Sequence, residues 1–207
     1  MRSGLWKRRP YAVWSKDPPG YYSKKSSADA HRQGWKVPEY PLVVGHEIIG
    51  TATRVGDKVS SIKVGDRVGV GAQIGSCNAC QTCTTGQENY CLDGMVDTYN
   101  SYWPDGTRTM GGYSDYIRST ENFTFKIPDG LESELAAPML CAGLTVYSPL
   151  KRKGVVSGKK VGIVGIGGLG HFGIMFAAAM GAEVYAISHS PTKKEDAKKV
   201  CHIHPDQ

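Results

Sequence analysis

No stretch of this 207-residue sequence approaches the ~20 consecutive apolar residues of a membrane-spanning helix. The opening, MRSGLWKRRPYAVW, has no apolar h-region of the kind a secretory signal carries. A reducing, cytoplasmic setting is therefore expected, with the six cysteines as thiols rather than disulfides. No internal repeat is present, and a hydrophobic share of 40% is ordinary for a chain with one large domain or two small ones. Acidic residues are scarce at the start. Residues 1–36 hold nine Lys and Arg against Asp17 and Asp29, a net of +7, so a whole-chain charge of +6 leaves −1 for the remainder. That Arg-, Lys- and Ser-rich start is also how a mitochondrial transit segment reads, but Pro18, Pro19 and Gly20 interrupt the helix such a segment needs. Trp6, Tyr11, Trp14, Tyr21 and Tyr22 lie among those charges, a composition that could bind RNA loosely. The positive footprint ends before the cysteine-bearing region, so the expectation is a solvated, disordered tail over residues 1–34 and no nucleic-acid or membrane partner.

From Tyr40 the composition changes to short Val- and Ile-rich runs separated by glycine turns, at 41–44, 48–55, 64–70 and 113–117. These read as strands of a small all-β unit. A polar loop over 98–109 carries the turn signal Pro104-Asp105-Gly106, and 135–150 reads as helix, with Pro138 tolerated in its first turn. A second unit begins near Val155. It reads as a strand at 160–165, a glycine run, a helix at 171–180 ended by Gly181, a strand at 183–188 and a helix from 193.

Cys77, Cys80, Cys83 and Cys91 stand as C-x-x-C-x-x-C, then seven residues, then a fourth cysteine. Four thiolates fill the tetrahedron that zinc prefers and leave no open position, so the spacing points to a structural zinc. An iron–sulfur cluster or a disulfide cluster is the alternative. The bacterial ferredoxin run places its last cysteine four positions after the third with a proline behind it, whereas here the gap is longer and Leu92 follows Cys91.

Gly165-Ile166-Gly167-Gly168-Leu169-Gly170 fits G-x-G-x-x-G in the strand–turn–helix–strand context that gives the fingerprint its meaning. The first glycine allows the tight turn, the second lets a pyrophosphate approach the backbone, and the third lets helix pack on strand. An NAD site usually ends its second strand on Asp or Glu. This chain has Ser188, His189 and Ser190 there, with Lys193 and Lys194 just after, a set suited to the 2′-phosphate of NADP. The same lysines also read as plain helix-surface charges.

Gly45-His46-Glu47 places an imidazole beside a carboxylate, and Cys141 lies in Leu140-Cys141-Ala142-Gly143. Alone, each reads as an ordinary pair or a core thiol. Together with the cysteine lobe and the glycine run, the stretches YPLVVGHEIIG, KVGDRVGVGAQIGSC, QENYC, MVDTYN, GGYSDYI, AAPMLCAGLTVYSPL and KKVGIVGIGGLGH resemble zinc-dependent medium-chain alcohol dehydrogenases, in wording nearest the NADP-dependent cinnamyl-alcohol-dehydrogenase-like branch. The resemblance covers about residues 35–197. It implies an α/β plus β fold, in which a GroES-like catalytic domain (35–150, incomplete) is followed by the first β-α-β unit of a Rossmann domain that binds NADP(H) (155–200), with an unrelated tail at 201–207. It makes His46 and Cys141 catalytic zinc ligands, Glu47 the neighbouring carboxylate, Cys77, Cys80, Cys83 and Cys91 the structural zinc site, and Ser188, His189 and Lys193 the 2′-phosphate contacts. The branch often has arginine where His189 stands. The resemblance also implies a primary alcohol or aldehyde substrate and a homodimer whose contacts lie in a part of the Rossmann domain not seen here.

The family's first catalytic ligand is an upstream cysteine, and none precedes Cys77; Ser27-Ala28-Asp29 reads as a remnant of that stretch. The chain closes on Cys201-His202-Ile203-His204 and three further residues, where the family continues with more strands. The expectation is a piece of an NADP-linked dehydrogenase with little activity of its own; a non-catalytic zinc-binding pseudoenzyme or short isoform is the alternative.

Overall fold

The computed structural model describes residues 38–201 and the backbone of Ser3–Lys7. The Ser27-Ala28-Asp29 remnant and the histidines at 202 and 204 lie outside the described residues. So does the rest of the tail expected to be disordered, but Ser3–Lys7 of that tail forms a strand, β1. Residues divide into two units, 1–140 and 141–207.

In the first unit β1 pairs antiparallel with β2 (Ile48–Arg54), which pairs with β3 (Arg67–Val70). Then come β4 (Gln73–Gly75), α1 (Gln81–Thr84), β5 (Val96–Asp97), β6 (Tyr116–Thr120), β7 (Thr124–Lys126) and α2 (Ser133–Ala136). The main sheet has the order β6-β1-β2-β3-β7, and β4 with β5 makes a separate ribbon. Strand β2 is buried on both faces. Ile48 and Ala52 join Ile62, Val68, Val70, Ile74 and Ile117 in one core cluster, while Ile49 points the other way to Ile127, Ala136 and Ala137. Period-two alternation places neighbours on opposite faces, so one apolar strand serves both layers. Gly69 makes the second layer possible. A Cβ there would stand 2.8 Å from a Leu140 methyl.

Two sequence readings change in this unit. Residues 41–44 form no strand, because Gly45 at φ +105° turns the chain out of the extended path. The single helix expected over 135–150 is three pieces: α2, a 3-10 turn at Ala137–Leu140, and α3 (Ala142–Arg152) in the second unit. Pro138 has no N–H to donate back along an α-turn, and Cys141, at φ −133° and ψ −68°, interrupts the helical path.

The second unit holds α3, β8 (Lys160–Val164), α4 (Gly168–Ala179), β9 (Glu183–Ile187) and α5 (Lys194–Cys201). Strands β8 and β9 are parallel over five residues, joined by the α4 crossover, which is the expected β-α-β unit. Ile174 and Ala177 are wholly buried, and Tyr147 of α3 meets Phe176 of α4 edge-on at 5.6 Å. The other face of the two strands carries Val164, Tyr185 and Ile187, all exposed. No described helix is long and apolar enough to cross a membrane.

Candidate functional site

The cysteine lobe occupies the loop between β4 and β5, tied at its base by Gln73, whose Nε2 donates to the Glu88 carbonyl at 3.1 Å. Its four Sγ atoms all lie within 4.8 Å of one another. Cys77 and Cys83 approach to 3.8 Å and Cys80 and Cys91 to 4.0 Å. Zinc–sulfur bonds of about 2.3 Å give a tetrahedron with edges of about 3.8 Å, so the donor set fits a four-sulfur metal site in type, number and spacing. Backbone N–H groups already point at the sulfurs. Cys77 N donates to Cys91 Sγ at 3.4 Å, Cys80 N to Cys77 Sγ at 3.2 Å and Leu92 N to Cys80 Sγ at 3.4 Å. The Thr82 hydroxyl and the Cys83 and Leu92 N–H groups hold the Cys80 thiol down to about 5. At Cys77 the Ala79 N–H acts to lower the thiol, but the Asp93 carboxylate, burial and the Cys80 sulfur beside it win, and it is pushed up to about 12. Burial pushes Cys83 up as well.

His46 and Glu47 are half-buried and stand just before β2. The segment leading to them is zipped to a second irregular stretch: Gly111 N donates to Val43 O at 2.7 Å, Gly112 N to Gly45 O at 2.7 Å and Tyr113 N to Val44 O at 3.0 Å. The approach is close enough to require glycine, since a Cβ on Gly111 would stand 2.5 Å from the Val44 carbonyl carbon. The His46 ring lies 6.0 Å from that of Tyr99, tilted by 39°. Cys141, also half-buried, is the first residue of the second unit and follows Leu140, whose carbonyl leaves no room for a Cβ on Gly71.

The glycine run turns sharply between β8 and α4. Gly165 has φ +87° and donates its N–H to Ile187 O at 2.8 Å. A Cβ on Gly170 would fall 1.8 Å from Gly165 O, so the helix can meet the strand only without a side chain there. Above Gly167 and Gly168 a Cβ would meet nothing within 4 Å, which leaves an open cradle at the N-terminus of a twelve-residue helix, a fit for a pyrophosphate. Leu169 is half exposed beside it. Ser188, His189 and Lys193 are exposed past the end of β9. The Lys193 ammonium reaches back to the Ile166 carbonyl of the glycine turn at 2.7 Å, and the Ser188 hydroxyl accepts from Ser190 N at 3.1 Å.

Sequence reading missed Thr82, Tyr99 and Arg108. The Thr82 hydroxyl is 3.2 Å from Cys80 Sγ and 2.8 Å from the Tyr90 carbonyl oxygen, so it ties α1 across the lobe. Its position between two cysteines was the only signal. The Arg108 guanidinium bonds the Pro41 carbonyl at 3.1 Å and the Glu39 carbonyl. Nothing in the sequence relates residues so far apart.

Comparisons with known proteins agree on one family. The family model described as the alcohol dehydrogenase GroES-like domain matches residues 23–129. The chain is 55% identical over 158 residues to a probable formaldehyde dehydrogenase AdhA of Bacillus subtilis, a span of 76% of this chain and 45% of that protein. It is 52% identical over 167 residues to NADP-dependent alcohol dehydrogenase C 1 of Mycolicibacterium smegmatis, covering 80% of this chain and 48% of the relative. Among solved structures, the CAD of Helicobacter pylori complexed with NADP(H) superposes with a TM-score of 0.80 at 38% identity, over 96% of this chain and 55% of that one. The chain thus spans about half the length of the relatives it matches. The expected fold class, α/β plus β with a GroES-like domain followed by a β-α-β unit, is borne out.

Proposed function

The chain belongs to the alcohol dehydrogenase family with a GroES-like domain, and from that premise we propose that it serves the zinc-dependent, NADP-linked interconversion of primary alcohols and aldehydes, aromatic and cinnamyl ones included. The observation that carries the reading is the glycine turn: an open cradle over Gly167 and Gly168, with the Lys193 ammonium on the Ile166 carbonyl and no carboxylate at the end of β9. The names of the relatives support it, NADP-dependent alcohol dehydrogenase and a CAD complexed with NADP(H).

Zinc supplies a Lewis acid for the substrate oxygen, and the nicotinamide supplies or accepts hydride. The chain's own part is holding and orienting. Cys77, Cys80, Cys83 and Cys91 hold a structural zinc. His46 and Cys141 bind the catalytic zinc, with Glu47 the neighbouring carboxylate. Gly165, Gly167, Gly168, Leu169 and Gly170 seat the pyrophosphate, while Ser188, His189 and Lys193 meet the 2′-phosphate. The protein works in the cytoplasm, where its thiols stay reduced.

The test is NADPH oxidation by the purified chain with an aromatic aldehyde. A zinc site served, among the described residues, by His46, Cys141 and Glu47 gives slow turnover, and His46→Ala abolishes it. Turnover that survives His46→Ala, or that prefers NADH, contradicts the reading.

A further inference from the structure

The segment that delivers His46 is not part of any sheet. Residues 39–45 run as irregular chain, and what fixes them is the stretch 99–113, which overlaps the polar loop read from sequence at 98–109. The three backbone hydrogen bonds from Gly111, Gly112 and Tyr113 hold the half nearest His46. The half farther away is held by side chains. Arg108, itself half-buried, spans two carbonyls with one planar fork, Nη1 on Pro41 O at 3.1 Å and Nη2 on Glu39 O. The Tyr102 hydroxyl bonds the Glu39 carboxylate, and Asn100 Oδ1 accepts from Glu39 N at 3.4 Å. Arg108 is in turn fixed on its own loop by the Tyr102–Arg108 bridge, closed around the Pro104-Asp105-Gly106 turn.

We propose that Arg108 is a positioning residue for His46: its guanidinium clamps the Glu39 and Pro41 carbonyls, and this keeps the adjoining zip in register so that the imidazole is held at its metal-binding position. The proposal rests on His46 being a metal ligand, as proposed above. A guanidinium suits the task because its donors form a rigid fork that meets two acceptors at once, which the single ammonium of lysine cannot reproduce. Groups outside a ligand set that orient a ligand govern metal affinity without touching the metal.

The clamp and the metal have separate readouts. Amide hydrogen exchange on the zinc-loaded chain should show Gly111, Gly112 and Tyr113 exchanging about tenfold faster in Arg108→Ala, a local opening, while the Cys80 and Leu92 amides of the cysteine lobe stay unchanged. Arg108→Lys should fall between the two proteins. With the lobe filled by zinc, cobalt titration read by its ligand-field absorption should show affinity about tenfold weaker in Arg108→Ala, at the lower end of the 10- to 100-fold range for outer-shell changes, and partly restored in Arg108→Lys. Unchanged amide exchange in Arg108→Ala overturns the clamp. Faster exchange with unchanged cobalt affinity overturns the positioning role. A His46→Ala control that binds cobalt as the parent does overturns the ligand assignment and the positioning role with it, and the amide data still decide by themselves whether the clamp exists.

Discussion

At the scale of single residues, two substitutions separate binding chemistry from backbone fit. Cys83→Ser removes one of four sulfurs whose spacing already matches a zinc tetrahedron, so metal analysis of the reduced protein should find about one zinc per chain fewer. Iron in place of zinc, or undiminished zinc in the variant, would overturn that assignment. Gly111→Ala forces a Cβ to within 2.5 Å of Val44 backbone, and no side chain there can yield. The segment before His46 must shift, and urea unfolding should show a loss of roughly 1–3 kcal/mol, the usual cost of overpacking. The four cysteines were legible in the sequence because their spacing lies within one loop and thiol chemistry has few other uses for it. Arg108 and Thr82 were not legible. Their roles depend on carbonyls that only the folded chain brings to them, at Glu39, Pro41 and Tyr90.

At the scale of elements, the turn before β3 shows how charge holds a strand entry. The Lys126 ammonium of β7, 2.8 Å away, and the Lys63 N–H, also at 2.8 Å, hold the Asp66 carboxyl below the usual carboxylate range. A folded pKa below the unfolded one contributes stability that is present above about pH 3.9 and is lost as pH falls through the folded value. Asp66→Asn should therefore lower the urea midpoint at pH 7, and the gap to the parent should close as pH falls below about 4. A gap that persists in acid would assign the effect to something other than the charge. Strands β2, β3, β8 and β9 were legible from Val and Ile runs bounded by glycine. The break at Cys141 was not, because hydrophobic content alone continues smoothly from Leu135 to Leu150, and it is Pro138 and the backbone of Cys141 that divide the run. Sheet β8–β9 packs one face on α4 and leaves Val164, Tyr185 and Ile187 exposed on the other, an uncommon state for parallel strands. Its amides should exchange faster than those of β2 and β3, which are buried on both faces; equal protection would contradict that ranking.

At the scale of the whole molecule, the two units differ in charge as well as in fold. Residues 1–140 carry sixteen Lys and Arg against fifteen acids, whereas 141–207 carry nine against four. The basic unit is the one with the glycine turn, which suits a polyanionic cofactor. Both the cysteine lobe and the glycine turn could be read from the sequence, since each is a local motif. The clamp on the His46 segment could not, because it joins residues 67 and 69 positions apart. The glycine turn is proposed to serve an NADP-type dinucleotide, and a fluorescence titration of the purified chain with NADPH and with NADH decides it. The account predicts NADPH tighter by about tenfold, the worth of one charge-assisted contact, with the preference narrowed by Lys193→Glu. NADH bound as tightly as NADPH or more so by the parent chain, or a preference that Lys193→Glu leaves untouched, would contradict it.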